Sequence, residues 1–231
     1  FDQETGLGLT RIRGEEFSGV KLSDYDVLVV PGAFNLSGVI DSTQVERLQA
    51  WVRDGGTLVA TEGSALFLTK NRSGLTGVEL ASDQEEKEEK EDEEETDEPD
   101  PSAYTTYAAR RDSTGLARIP GSAFAGWLDQ THPLAFGLPD RLYSLKFITD
   151  ALEPSDELET VGYYEKDAAR LLASGYASQE NLGKLAGKAF AAVQEMGSGR
   201  VVFLVDNTQY RMFWVGPARL MQNAVMLMPG M

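Results

Sequence analysis

The chain contains no cysteine and only one histidine among its 231 residues. The lack of cysteine excludes disulfide bonds, thiolate zinc sites, iron–sulfur clusters and a cysteine nucleophile. A single imidazole also excludes a zinc site of two or more histidines within this chain, so we predict neither a metal site nor a cofactor here. No apolar run approaches the roughly 20 residues that a membrane-spanning helix needs, and no membrane span is expected.

Positive charge is scarce as well, because 21 Lys and Arg residues face 37 Asp and Glu residues, for a net charge of -16. This balance argues against nucleic acid or anionic membrane as a partner. Residues 83–100 alone hold 13 acidic residues and two lysines, so most of the excess negative charge of the chain belongs to this one segment. Since it has no aliphatic or aromatic residue to bury, the segment 83–101 is predicted to be an acidic, disordered insertion.

A strand–helix–strand unit is predicted near the start of the chain. In residues 26–30, Asp26 is followed by a continuous apolar run that is typical of a strand buried on both faces of a parallel sheet. Asp41 is the predicted N-cap of a helix whose apolar residues recur on one face until Gly55. A second apolar strand follows at 57–61. Strand, helix and strand of these lengths make a right-handed crossover between parallel strands.

The C-terminal part predicts a hairpin and a last helix. Apolar residues at 185–193 and 200–205 flank a Gly-Ser-Gly turn at 197–199, and Pro217 suits the first turn of a helix running to about 228. We therefore predict a single α/β domain over 1–231. Its fold class is a flavodoxin-like, mostly parallel sheet with helices on both faces, plus an added hairpin.

Four segments with a familiar order connect the chain to a known family. They are residues 25–32 (YDVLVVPG), 51–60 (WVRDGGTLVA), 131–137 (THPLAFG), and 197–203 (GSGRVVF) with Tyr210-Arg211 and Asn223-Ala224. This set resembles the class I glutamine amidotransferase-like fold, and more narrowly the domain that follows the catalytic domain in certain bacterial zinc carboxypeptidases. The resemblance covers most of the chain outside the acidic insertion. It implies that a first strand lies upstream of Phe1 and that the chain is a fragment of a longer polypeptide.

The resemblance also implies a function. It indicates a non-catalytic accessory domain of a secreted zinc carboxypeptidase, with a role in domain packing, oligomerisation or substrate contact. The implied partners are the upstream peptidase domain, further copies of the chain, and the peptide substrate of the parent enzyme. Zinc would belong to the upstream domain, and the implied location is the periplasm or the exterior.

The position of the amidotransferase nucleophile has no cysteine here. In that fold the nucleophile lies on a strained turn between a strand and a helix. The matching turn is 60–65, and an alignment that keeps Gly63 in register puts Thr61 at the nucleophile position. No histidine follows His132 to act as the base, so amidotransferase chemistry is expected to be lost.

Ligands of open α/β sheets bind at the carboxyl ends of the strands, which identifies candidate ligand-binding residues. These are Glu62, Asn207, Tyr210 and Arg211. Two alternative functions stay open. One is a stand-alone hydrolase that uses Ser64 or Glu62, with His132 as the base. The other is a carbohydrate-associated module with an exposed aromatic surface from Trp127, Tyr163 or Tyr164.

Overall fold

The computed structural model describes residues 6, 8–33, 35–84, 115, 117–212 and 214–230. The segment predicted as an acidic insertion at 83–101 therefore lies outside the described residues from 85 onward. Within the described part of the chain, no helix is long and apolar enough to cross a membrane, as the sequence predicts.

The predicted strand–helix–strand unit, hairpin and last helix are all present. The strands are β1 (Val27–Val30), β2 (Thr57–Thr61), β3 (Ser122–Leu128), β4 (Arg141–Lys146), β5 (Glu159–Tyr164), β6 (Leu172–Ser174), β7 (Ala189–Met196) and β8 (Gly199–Leu204). The α-helices include α1 (Ser42–Arg53), α2 (Gly63–Phe67), α3 (Ala168–Leu171), α4 (Gln179–Leu185) and α5 (Val215–Met226). Short 3-10 helices include Gly14–Gly19, Leu22–Asp24, Leu36–Gly38, Pro133–Ala135 and Tyr210–Met212.

The strands form one mixed sheet in the order β1-β2-β8-β7-β5-β3-β4, with β6 beside β3. Strands β1, β2 and β8 run parallel, whereas the other pairings are antiparallel. The prediction of a mostly parallel sheet is therefore correct only for these three strands. The connections explain the difference, because α1 crosses over between β1 and β2, while the short turn between β7 and β8 allows only antiparallel pairing.

Strand β1 lies at the edge of the sheet, with β2 as its partner. Three of its four residues are only half-buried, so the prediction of a strand buried on both faces is wrong for β1. The physical reason is its edge position: no described residue pairs with its outer side. The interior strands β2 and β8 do have the expected burial, since nearly all of their residues are buried.

Helices cover both faces of the parallel part, as predicted. Helix α1 begins at the predicted cap, where the Asp41 side chain accepts a hydrogen bond from the Gln44 N–H at 2.9 Å. Alternate residues of the interior strands then pack against α1 on one face and α5 on the other. The α1 side contains Leu48, Val52, Leu58, Val201 and Phe203, and the α5 side contains Val59, Val202, Leu204, Leu220 and Ala224. Each fully buried aliphatic side chain of this kind contributes roughly 1.5–3 kcal/mol to folding.

A buried polar cluster centred on Asp206 connects the parallel and antiparallel parts of the sheet. The Asp206 carboxylate accepts hydrogen bonds from the Lys146 ammonium group at 3.0 Å, the Tyr164 hydroxyl at 2.6 Å and the Ser144 hydroxyl at 2.5 Å. Lys146 also donates to the Asp150 carbonyl at 2.7 Å. Asp206 follows β8, whereas its donors come from β4 and β5, so these contacts fasten the carboxyl end of β8 to the far side of the sheet.

Burial governs the protonation chemistry of this cluster. The side chains of Lys146 and Asp206 are 0% and 1% exposed. Burial lowers the pKa of the Lys146 ammonium group, and the attraction of Asp206 opposes that shift. Burial, followed by the proximity of Asp206, raises the pKa of the Tyr164 phenol well above its ordinary value. The phenol therefore stays protonated and donates its hydrogen bond.

Removing one partner of the buried ion pair should be strongly destabilising. Lys146→Met leaves the Asp206 carboxylate buried without its cation, and we expect a loss of about 3–5 kcal/mol in the free energy of unfolding. Asp206→Asn should also destabilise the chain, whereas the double variant should lose less than the sum of the two single losses. Urea unfolding of the four chains measures this coupling. Additive losses would show that the two side chains do not act as a pair.

Candidate functional site

The carboxyl ends of the three parallel strands meet at one edge of the sheet. Pro31 and Gly32 follow β1, Glu62 follows β2, and Asp206 and Asn207 follow β8. Because parallel strands end on the same side, these short segments converge on one corner of the molecule. This corner contains two of the predicted ligand-binding residues.

Glu62 occupies a strained turn between β2 and α2. Its backbone dihedrals are φ 51° and ψ -132°, a conformation that non-glycine residues rarely adopt. The Glu62 N–H donates to the Leu204 carbonyl at 2.9 Å, and the Glu62 carbonyl accepts from the Ala65 N–H at 3.0 Å. Such strain costs roughly 1–3 kcal/mol and persists only where neighbouring contacts enforce it.

The strained turn lies directly after Thr61, the predicted nucleophile position. Thr61 is the last residue of β2, so the residue with the geometry of a strand–turn–helix elbow is Glu62. The sequence carries no signal for this strain, because glutamate does not favour positive φ. The turn presents the Glu62 carboxylate, with the Thr61 hydroxyl beside it at the end of β2.

The two hydroxyl groups beside Glu62 make internal hydrogen bonds. The Thr61 hydroxyl oxygen accepts from the Gly32 N–H at 2.9 Å. The Ser64 hydroxyl donates to the Pro31 carbonyl at 2.6 Å, and Ser64 is 0% exposed. Both contacts attach the loop after β1 to the elbow. In this arrangement the Ser64 oxygen lies inside the protein, away from any substrate in solvent.

The Glu62 carboxyl group is half-buried in this corner. One of its oxygens accepts a hydrogen bond from the Asn207 side-chain amide at 3.1 Å. The other faces Gly32 so closely that an added Cβ atom there would lie 2.8 Å from it, so a larger residue at this position would displace the carboxyl group. Burial raises the pKa of Glu62; the Asn207 hydrogen bond opposes this shift, and the nearby Asp206 charge adds to it. The corner therefore holds a carboxyl group that retains its proton to higher pH than usual.

The other predicted site residues lie elsewhere. The His132 ring accepts from the Leu134 N–H at 3.0 Å and pairs with Glu159 at 3.2 Å. Glu159 begins β5, which is three strands from β2 in the sheet, so His132 is remote from Ser64 and Glu62. Tyr210 packs on the Phe147 ring at 5.5 Å between centroids, and the Arg211 guanidinium lies 5.2 Å from the centre of the Tyr210 ring.

The aromatic residues considered for carbohydrate binding separate into two groups. Trp127 and Tyr163 are paired neighbours on β3 and β5, and both are half-buried. Tyr164 points to the opposite side and is 0% exposed, so it cannot belong to an exposed aromatic surface. Among the described residues, no group of three or more histidine, aspartate or glutamate side chains could hold a metal ion.

Comparisons with known proteins give fold similarities only. No family model matches the sequence, and no curated protein matches it. A ThuA-like protein from Bacteroides uniformis has a TM-score of 0.46 at 11% identity, over 88% of this chain and 69% of that one. A candidate GMP synthase component from Thermoplasma acidophilum has a TM-score of 0.47 at 10% identity, over 92% and 74%. A β-galactosidase from Bacillus circulans has a TM-score of 0.41 at 14% identity, over 87% of this chain and 23% of that one. At these values the similarity assigns no activity.

Replacing Glu62 by glutamine tests the raised pKa. A raised pKa means that the folded chain binds this proton more tightly than the unfolded chain. The free energy of unfolding therefore falls as the pH rises from the ordinary pKa of the group through its pKa in the folded chain. Glutamine keeps the acceptor for Asn207 and removes the titration. We expect Glu62→Gln to gain stability relative to the unaltered chain as the pH rises above 4.5, the ordinary value for the group.

Urea unfolding at a series of pH values measures this difference. Glu46→Gln is the matched control, because Glu46 is exposed on α1. A stability difference between Glu62→Gln and the unaltered chain that stays constant across the pH series would contradict the raised pKa.

Proposed function

We propose that this chain is a non-catalytic, amidotransferase-like accessory domain. The observation that carries the proposal is the elbow after β2, which presents the Glu62 carboxylate in place of a thiol. Amidotransferase chemistry needs a thiolate nucleophile and an imidazole base within hydrogen-bond reach of each other. The chain contains no cysteine, and its single imidazole lies three strands away from the elbow.

The neighbouring hydroxyls do not replace the thiol. An acyl-transfer nucleophile must reach the substrate and must lose its proton to a base. The Ser64 hydroxyl is buried and already donates to the Pro31 carbonyl, and the Thr61 hydroxyl accepts from the Gly32 N–H. Neither hydroxyl has a hydrogen bond to an imidazole or carboxylate among the described residues. These contacts support a structural role for both.

The parent protein is proposed to be a secreted or periplasmic zinc carboxypeptidase, with its zinc in an upstream catalytic domain. The support for this part is the ordered set of sequence segments that resembles the domain following the catalytic domain in such enzymes. In this arrangement the chain packs on the peptidase domain, on a further copy of itself, or on the peptide substrate. The Glu62–Asn207 corner then serves as a binding surface, and the parent enzyme's chemistry occurs elsewhere.

Single-cysteine variants test the assignment of the elbow, because the unaltered chain has no thiol of its own. The thiol of Glu62→Cys should react readily with iodoacetamide in the folded chain. The thiol of Ser64→Cys should react about a hundredfold more slowly, because it becomes accessible only when the chain opens. Both should react equally in denaturing urea, and similar rates in the folded chains would contradict the assignment.

An activity assay tests the inactivity itself. Neither the unaltered chain nor Glu62→Cys should hydrolyse glutamine above the buffer rate, because no imidazole is near the elbow to act as the base. Turnover by the unaltered chain that is lost in Ser64→Ala or Glu62→Gln would replace the accessory role with that of a hydrolase.

A further inference from the structure

Six aromatic and arginine side chains lie along β4, its partner β3 and the loop that follows β8. We name this surface the arginine–aromatic strip. It comprises Trp127, Arg141, Tyr143, Phe147, Tyr210 and Arg211. Arg141 is directly opposite Trp127 in the β3–β4 pairing, and Tyr143 lies two residues further along the strand, so the three share one face of the sheet.

The first half of the strip is centred on Arg141. Its guanidinium group lies 5.6 Å from the ring centres of both Trp127 and Tyr143, within the range of cation–π attraction. The Arg141 Nε atom is buried and has no hydrogen-bond partner. No carboxylate of the described residues forms an ion pair with Arg141. The rings therefore hold the guanidinium group in place without an ion pair to a described carboxylate. The Glu165 carboxylate accepts a hydrogen bond from the Trp127 indole at 3.3 Å on the same ring.

The second half of the strip repeats the arrangement at the other end of β4. Phe147 packs on Tyr210, and the Arg211 guanidinium lies 5.2 Å from the Tyr210 ring centre. Arg211 itself has a positive φ of 49°, which fixes its direction at some cost in strain. The Asn207 N–H bonds to the Leu145 carbonyl at 2.9 Å, so the loop that carries Tyr210 and Arg211 is attached alongside β4.

The composition of the strip is typical of an interaction surface. Tryptophan, tyrosine and arginine are the residues most enriched at the energetic centres of protein interfaces. Tyr143 and Phe147 are 47% and 39% exposed, so the apolar part of the strip reaches solvent. Neither Arg141 nor Arg211 forms an ion pair with a described carboxylate, which leaves the two stacked arginines available for a carboxylate from outside.

The mode of contact follows from the edge of β4. The carbonyls of Tyr143 and Leu145 on that edge already accept hydrogen bonds from the Trp214 indole at 3.0 Å and from the Asn207 N–H at 2.9 Å. An incoming chain therefore cannot extend the sheet along this stretch. The incoming chain instead contacts side chains. The aromatic rings provide apolar contact area, and the guanidinium groups provide paired N–H donors.

We propose that the arginine–aromatic strip binds a carboxylate-bearing peptide segment of another protein. The two guanidinium groups, which form no ion pair with a described carboxylate, supply the charge complementarity, and the four rings supply the apolar contact. A nucleic acid is disfavoured by the net charge of -16, since its many phosphates would be repelled by the rest of the chain. A peptide with a few carboxylates needs only the local charge of the strip. At physiological salt, charges on the rest of the chain that lie more than about 8 Å from the peptide are largely screened.

The test uses the full chain labelled with nitrogen-15 and a blocked pentapeptide with glutamate at alternate positions and valine between them. The matched probe has glutamine in place of each glutamate. The Trp127 indole signal, assigned with Trp127→Phe, should move on titration with the glutamate peptide. The indole signal of Trp51, a residue that is 9% exposed in the core, should stay fixed and serves as the internal reference.

Variants then locate the binding site. Arg141→Gln should weaken binding of the glutamate peptide by about tenfold, the effect of losing one charge-assisted contact. Arg211→Gln should also weaken it, and this variant keeps the proposal testable if Arg141→Gln does not fold, because Arg211 is exposed. Arg53→Gln removes an exposed arginine from α1 and should leave the affinity unchanged.

Three results would overturn the proposal. One is a Trp127 signal that does not move with the glutamate peptide. Another is equal binding of the glutamate and glutamine peptides, which would leave the guanidinium groups without a role. The third is tighter binding of a short single-stranded oligonucleotide than of the glutamate peptide, which would assign the strip to nucleic acid.

Discussion

The Asp206 carboxylate is the constraint on which the architecture depends. It lies where the parallel strands end, and its three donors come from β4 and β5 on the antiparallel side. A charge this deeply buried is tolerated only when it is fully hydrogen-bonded and paired. Those contacts fix the chain after β8. They therefore also position the side-chain amide of Asn207, which donates a hydrogen bond to the Glu62 carboxyl group. The junction between the two parts of the sheet and the loop that carries Asn207 thus depend on one buried group.

The parallel part of the fold could be predicted from the sequence because its signals are local. The apolar run before Pro31 and the cap at Asp41 each specify one of its elements, and the turn at 197–199 specifies the hairpin that joins β8 to the antiparallel part. The antiparallel part could not be predicted in the same way. Its strand pairings join segments far apart in the chain, and Lys146 offers no sign in the sequence that it is fully buried. The distant carboxylate of Asp206, together with the Asp150 carbonyl, makes that burial possible.

Part of the candidate site could also be predicted, because some of its signals are local in the sequence. Glu62 and Asn207 were identified because both follow strands that end at one edge of the sheet, and they do meet there. The strain at Glu62 could not be predicted, because backbone dihedrals depend on contacts with Leu204 and Gly32 that the sequence does not reveal. The pairing of the arginines with aromatic rings also depends on strand register.

Native-state hydrogen exchange in Asp206→Asn tests the central role of this carboxylate most directly. The backbone N–H of Asn207, which bonds to the Leu145 carbonyl, should lose much of its protection from exchange when the charge of residue 206 is removed. The amides between β1 and β2 should keep theirs, because those strands are held by α1 and their own pairing. Unchanged protection at Asn207, or an equal loss at every amide, would contradict the view that Asp206 fastens the two parts of the sheet together.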